Sequence, residues 1–167
     1  MHHRLAAIGV SARVRSAGLL ESGNPASAHG TEILAGRGLD MAAHRSTTVS
    51  ADILGGADLV LAMARQHVRE AVVLAPDVWP RTFTLKELVR RGTAIGPRKD
   101  GESVEAWLGR AHMGRTPSSL TGASSDDDID DPIGRPRAAY QRMVDEIDEL
   151  VDRLVALVWA VDGTART

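Results

Sequence analysis

The run Asp58–Met63 is the feature of this sequence that most restricts its fold. Five of its six residues are apolar, and a short continuous apolar run is typical of a strand that is buried on both faces. Such a strand needs helices above and below it, which is the arrangement of parallel sheets in α/β proteins. Helical periods of apolar residues precede and follow the run, which favours this fold class.

Two further stretches of the sequence have the pattern of short strands. Residues 10–16 alternate apolar and polar side chains, and residues 81–85 form a second candidate that ends where a helical period begins. Together with the run at residues 57–63, these stretches predict three strands. Segments with helical periodicity lie between them. Because strands that alternate with helices pair in parallel, we predict an α/β fold with a doubly wound parallel sheet and helices on both faces.

The carboxyl-terminal part of the chain predicts a long amphipathic helix. Apolar side chains recur there at helical spacing, namely Tyr140, Met143, Val144, Ile147, Leu150, Val151, Leu154 and Val158. Further upstream, residues 92–123 are rich in Gly, Pro and Ser and contain one helical pattern at 103–113. We therefore expect a single domain over residues 1–167, in which residues 92–123 are a loop-rich insertion with one helix.

The composition excludes several classes of site and partner. A net charge of −2 gives no basic surface for nucleic acid. The sequence has no apolar run long enough to cross a bilayer and no signal peptide, which favours a cytoplasmic protein without a membrane partner. It contains no cysteine, so disulfides, thiolate metal sites and a cysteine nucleophile are excluded within this chain. The six histidines lack the spacing of a zinc site, and we expect neither metal nor cofactor.

A run of acidic residues precedes the last helix. Five aspartates fall within six residues, at positions 126–128, 130 and 131, and Pro132 follows the last of them. Because proline restricts the backbone of the residue before it, we interpret Asp131 as a positioned acid. We interpret Asp126–Asp128 as solvated surface groups. The alternative for Asp131 is that it too is a solvated member of the run, since loop carboxylates mostly lie on the surface.

Several other polar residues lie near the ends of the predicted strands. Arg65 and His67 follow the strand at residues 57–63, at the end of the sheet where parallel folds bind their ligands. We interpret both as surface charge on a helix. His44 and Arg45 could contact a phosphate, but a structural role in a connector is the interpretation we adopt.

Five segments of the chain resemble one protein family, in the order in which that family has them. They are Val14–Gly18, Gly38–Ser46, Ala57–Met63, Arg81–Glu87 and the pair Asp131–Pro132 ahead of the last helix. Together they resemble the low-molecular-weight protein tyrosine phosphatases, and the fourth segment is similar to the bacterial branch. The resemblance covers nearly the whole chain and implies the parallel α/β fold of that family.

The resemblance implies a hydrolase that acts on a phosphorylated protein or a small phosphomonoester. In this family a thiolate in a Cys-x5-Arg loop attacks phosphorus, while loop amides and the arginine hold the phosphoryl oxygens. The aspartate of an Asp-Pro pair protonates the leaving oxygen and then deprotonates water. Of these parts only the acid maps onto this chain, as Asp131. The family usually carries aromatic residues after Asp-Pro, and here Ile133 and Gly134 stand in their place.

The family's catalytic loop would lie upstream of Met1, which the resemblance places within the first helix. We therefore expect an N-terminally truncated family member whose first strand is missing, which leaves three strands. The strands that flank the missing one would have unpaired edges, so self-association through them is an expected risk. We expect the chain itself to be inactive toward aryl phosphates. Two alternatives stay open: a non-catalytic binding or regulatory remnant of the fold, and an arsenate reductase-like relative.

Overall fold

Seven α-helices, two short 3-10 helices and two short strands make up residues 1–160, the part of the chain that the computed structural model describes. The α-helices are α1 (His2–Ala7), α2 (Ala28–Ala35), α3 (Ala51–Gly55), α4 (Arg65–Leu74), α5 (Leu85–Ile95), α6 (Val104–His112) and α7 (Arg137–Val158). The strands are β1 (Val60–Ala62) and β2 (Thr82–Thr84), and the 3-10 helices are Pro76–Arg81 and Pro117–Leu120.

The two strands form a parallel sheet, in a register that sets Val60 opposite Thr82. α4 lies between them in sequence and is part of the crossover that parallel pairing requires. All three residues of β2 are buried, whereas the first two residues of β1 are partly exposed. The structure thus confirms the predicted α/β class with parallel pairing.

The sheet within residues 1–160 has two strands, and the prediction of three is wrong. Val10 and Ala12 pack against the core, but residues 11–17 make no backbone hydrogen bond with any other described residue. The nearest pairing is a single parallel bridge between Gly18 and Thr48. An alternating pattern indicates which side chains turn inward, but a strand also needs a partner edge for its N–H and C=O groups. Residues 10–16 lack that edge here.

Local sequence signals explain where several helices begin. In four of them a hydroxyl side chain before the first turn accepts a hydrogen bond from a backbone N–H of that turn, which satisfies one of the free donors at a helix start. These residues are Ser27, Ser50, Thr84 and Ser103. The predicted helices near residues 1–8, 50–55, 65–74 and 103–113 and the long carboxyl-terminal helix are confirmed.

The main core lies where α5, α6 and α7 pack together with β2. Phe83, Trp107 and Leu154 are fully inaccessible to solvent. Gly92 allows α5 and α6 to approach closely, because a Cβ atom there would lie 2.8 Å from Cζ2 of Trp107. The helix within residues 92–123 is therefore a part of the core. None of the helices within residues 1–160 combines the length and the apolar composition that a membrane crossing requires.

Candidate functional site

The acidic run lies in a loop, residues 124–136, that is attached to the carboxyl end of β1. We call this segment the acid loop. The backbone N–H of Ile129 donates a hydrogen bond to the carbonyl oxygen of Met63 at 2.8 Å, one residue beyond the strand. The carboxyl ends of parallel strands are where α/β sheets bind their ligands. The acid loop therefore lies at the edge of the sheet where α/β proteins commonly bind ligands.

Asp131 is exposed to solvent, but the chain on either side of it is held. Ile129, two residues before it, is buried in the main core, and Pro132 directly after it is also buried. One carboxylate oxygen of Asp131 accepts a hydrogen bond from the N–H of Ile133 at 2.9 Å. The backbone on both sides of Asp131 is thus held by neighbouring contacts, while its carboxylate is exposed to solvent.

Asp127 is buried, which contradicts the interpretation of Asp126–Asp128 as solvated groups. Its side chain is 6% exposed and accepts two hydrogen bonds from Arg65, at 3.0 and 2.8 Å, and one from Arg90 at 2.7 Å. Burial alone would raise the pKa of Asp127, but the hydrogen bonds from Arg90 and Arg65 outweigh it and lower the pKa. Asp127 is therefore a paired anion. Arg65 is correspondingly part of this cluster and not simply surface charge.

Asp128 acts as the cap of α4. One carboxylate oxygen accepts from the backbone N–H of Arg65, the first residue of that helix, at 2.7 Å. The other accepts from the N–H of Ser124 at 2.8 Å and closes the acid loop on itself. Ala64, at the N-cap position, makes no capping hydrogen bond through its side chain, so a residue that is distant in sequence supplies the cap. Only Asp126 of the three is exposed as predicted.

Lys86 ties the acid loop to two helices. Its ammonium group donates to the carbonyl oxygens of Ser125 and Asp128, at 3.2 and 2.9 Å, and forms an ion pair with Glu146 of α7 at 2.6 Å. Lys86 itself lies in the first turn of α5, directly after β2. The sequence reasoning missed Asp127, Asp128 and Lys86. A local signal that could have found this cluster is the basic residue in the first turn after each strand, Arg65 after β1 and Lys86 after β2.

A cavity of about 350 Å³ opens between the acid loop and the first turns of α7. Asp131, Lys86, Arg135, Arg142 and Glu146 are among the residues that line it. The cavity therefore presents both cationic and anionic groups next to the candidate acid. The other residues considered from the sequence lie elsewhere: the His67 side chain is exposed on α4, and the Arg45 guanidinium donates to carbonyl oxygens of its own connector.

Comparison with known proteins gives the family of the chain. The family model for low molecular weight phosphotyrosine protein phosphatase matches residues 1–94. The chain belongs to this family. A protein-arginine-phosphatase from Geobacillus stearothermophilus is 30% identical over 142 residues, which are 84% of this chain and 73% of that protein. The resemblance inferred from the sequence is thereby confirmed.

Solved structures of the phosphatase family share the fold of this chain. The crystal structure of a low molecular weight protein tyrosine phosphatase from T. tengcongensis superposes with a TM-score of 0.67 at 29% identity, over 92% of this chain and 83% of that one. The arginine phosphatase of Geobacillus stearothermophilus superposes with a TM-score of 0.59 at 28% identity, over 84% of this chain and 70% of that one. Both comparisons place this phosphatase-family member among α/β proteins with a parallel sheet.

Proposed function

We propose that this phosphatase-family domain supplies the general acid for hydrolysis of phosphorylated substrates, and that the 167-residue chain does not turn them over by itself. The observation that carries the proposal is the placement of Asp131. It lies at the carboxyl edge of a parallel sheet, between two buried residues, with its carboxylate open to a cavity. The same chain contains no cysteine to serve as the nucleophile of the family.

The proposed chemistry has two steps, and Asp131 acts in both. The thiolate of a Cys-x5-Arg loop forms a bond to phosphorus while the bond from phosphorus to the leaving atom breaks, and protonated Asp131 gives its proton to that atom. The resulting Asp131 carboxylate then takes a proton from water, whose oxygen displaces the thiolate from phosphorus. The sequence has no cysteine to supply this thiolate, and Ser16 has no hydrogen-bonded base among residues 1–160.

The substrate that the site favours is a phosphorylated arginine side chain on a protein. Asp130 is exposed beside Asp131, and its carboxylate, which lies 3.7 Å from the guanidinium of Arg135, suits the guanidinium group of such a substrate while Asp131 serves as the acid. Ile133 follows Asp131 with 70% exposure and offers no aromatic face for a phenyl ring. An arginine phosphatase is also among the similar proteins. Phosphotyrosine and small phosphomonoesters are the other substrates that the family implies.

The test compares the chain with a version extended upstream by a segment that carries a Cys-x5-Arg loop and a strand for the free edge of β1. We expect no release of phosphate by the 167-residue chain from aryl phosphate, phosphotyrosine peptide or phosphoarginine peptide, and clear release by the extended protein. Asp131→Asn in the extended protein should lower kcat by roughly a hundred- to ten-thousand-fold, which is the usual contribution of a general acid. Turnover by the chain alone, or an extended enzyme indifferent to Asp131→Asn, would contradict the proposal.

A binding domain without chemistry is the second candidate, which the absence of cysteine favours. In that case the chain itself should bind phosphopeptides, as measured by isothermal titration calorimetry, and the extended protein should remain inactive. An arsenate reductase-like relative is the third possibility. The extended protein tests it too, because arsenate-dependent oxidation of thiols would then replace release of phosphate.

A further inference from the structure

Asp127 connects the acid loop to the two helices that follow the strands of the sheet. Arg65 is the first residue of α4, which follows β1, and Arg90 lies in α5, which follows β2. Both guanidinium groups donate to the one carboxylate of Asp127. We infer that Asp127 is a positioning residue, which fixes where the acid loop presents the Asp131 carboxylate. The inference rests on the proposed function for the role of Asp131, but not for the anchoring itself.

The anchoring contacts follow one another along the chain and stop just before Asp131. Asp127 binds the two arginines through its side chain, and Asp128 binds Arg65 N–H with its carboxylate. Ile129 then binds Met63 through its backbone and packs its side chain in the core. Asp130 and Asp131 are the first exposed residues after this series. The contacts made two to four residues earlier thus set the position of Asp131 on its N-terminal side, and the buried Pro132 holds the chain directly after it.

The contacts of Asp127 with Arg65 and Arg90 depend on its negative charge. A buried carboxylate between two guanidinium groups makes charge-assisted hydrogen bonds, which are stronger than those of a neutral side chain. Asparagine has nearly the same shape, but it carries no charge and has only one acceptor oxygen. Asp127→Asn therefore weakens the anchoring with little change in packing. Asp126→Asn is a matched control, because Asp126 is the neighbouring residue, is exposed, and loses the same charge.

Hydrogen exchange on the 167-residue chain tests the anchoring without any activity. In Asp127→Asn we expect the amide of Ile129 to exchange roughly tenfold faster or more, because local opening of the loop becomes less costly. Amides inside α7, such as that of the buried Val151, should keep their exchange rates. Asp126→Asn should leave the rates in the loop and in α7 unchanged. Unchanged exchange at Ile129 would overturn the inference. So would an equal acceleration in the loop and in α7, which would mean a general loss of stability.

The leaving-group dependence of the extended enzyme tests the positioning role. A misplaced acid slows substrates whose leaving group needs a proton and spares those whose leaving group departs as a stable anion. Asp127→Asn should therefore lower kcat for phenyl phosphates with a high leaving-group pKa more than for activated ones, in the direction of Asp131→Asn. An equal loss for all leaving groups would overturn the positioning role. An extended protein without any activity would instead refute the proposed function, while hydrogen exchange still decides the anchoring.

Discussion

The guanidinium group of Arg115 shows how a single residue joins parts of this fold that are far apart in sequence. It lies between the rings of Trp79 and Phe83, 3.8 and 4.0 Å from their centroids. Its nitrogens donate to both carboxylate oxygens of Glu87, at 2.7 and 3.0 Å, and to the carbonyl oxygen of Thr82 at 2.8 Å. The side chain of Arg115 is 0% exposed and that of Glu87 is 6% exposed. Loss of either charge would leave the other buried without a partner.

We therefore expect Glu87→Gln to lower the free energy of unfolding by about 3 kcal/mol, which is typical for breaking a buried ion pair. Urea denaturation followed by circular dichroism measures this change. Glu105→Gln is the control, because Glu105 is exposed on α6 and its loss should change the free energy by no more than about 0.5 kcal/mol. Equal effects of the two substitutions would show that the buried pair does not stabilise the fold.

The acidic run shows what sequence reasoning can decide about single residues. The proline after Asp131 and the polar composition place the run in a loop ahead of the last helix, and the structure agrees. Which aspartate is buried depends on partners that are distant in sequence: Arg65 lies 62 residues from Asp127 and Arg90 lies 37 residues from it. The five aspartates of the run cannot be distinguished by sequence alone, because only the fold brings those guanidinium groups to one of them.

At the scale of elements, the end of α6 carries a histidine whose charge state affects stability. Burial lowers the pKa of His112, and the nearby charges of Arg115 and Arg91 lower it further. Its Nδ1 lies 3.2 Å from Nη1 of Arg115, where the neutral ring can accept a hydrogen bond. The folded protein therefore keeps His112 neutral at a pH where the unfolded chain has begun to bind a proton.

Stability should consequently fall as the pH drops below about 6.5, because the unfolded state then binds more protons than the folded state. Above that pH the contribution of His112 is constant. The melting temperature of His112→Asn should depend less on pH between pH 7 and 5 than that of the wild type. His67→Asn, which changes an exposed histidine on α4, should keep the wild-type dependence. If the melting temperature of His112→Asn depended on pH as steeply as that of the wild type, His112 would not be the source of this pH dependence.

Helices and strands differ in how far the sequence determines them here. Ser50 and Ser103 cap helices from within the same turn, so the local sequence is enough to predict where α3 and α6 begin. The apolar run at residues 58–63 predicts β1, and the strand candidate at residues 81–85, which ends where a helical period begins, predicts β2. Residues 10–16 have an equally clear alternation, yet they join no sheet, because pairing depends on a partner edge that no local pattern contains.

At the scale of the whole molecule, one edge of the two-stranded sheet has backbone groups that are unpaired within the described part of the chain. Within residues 1–160, the edge of β1 that faces away from β2 has no backbone partner before Met63. Val60 and Leu61 are only partly buried, although their sequence is typical of a strand covered on both faces. Unpaired edges of this kind promote pairing with other chains.

We therefore expect the chain to self-associate as its concentration rises, which sedimentation velocity measures. Val14 is 45% exposed in the segment without backbone partners, and Val14→Lys should reduce the association, because a lysine in a segment with unpaired backbone groups opposes strand addition. Val73→Lys is the matched control: Val73 is 78% exposed on the helix α4, whose backbone groups are paired within the helix, so this substitution should leave the association unchanged. A wild-type chain that stays monomeric at every concentration and melts reversibly at high temperature would show that the edge of β1 is not a binding surface. Equal effects of the two lysines would attribute the association to general surface hydrophobicity.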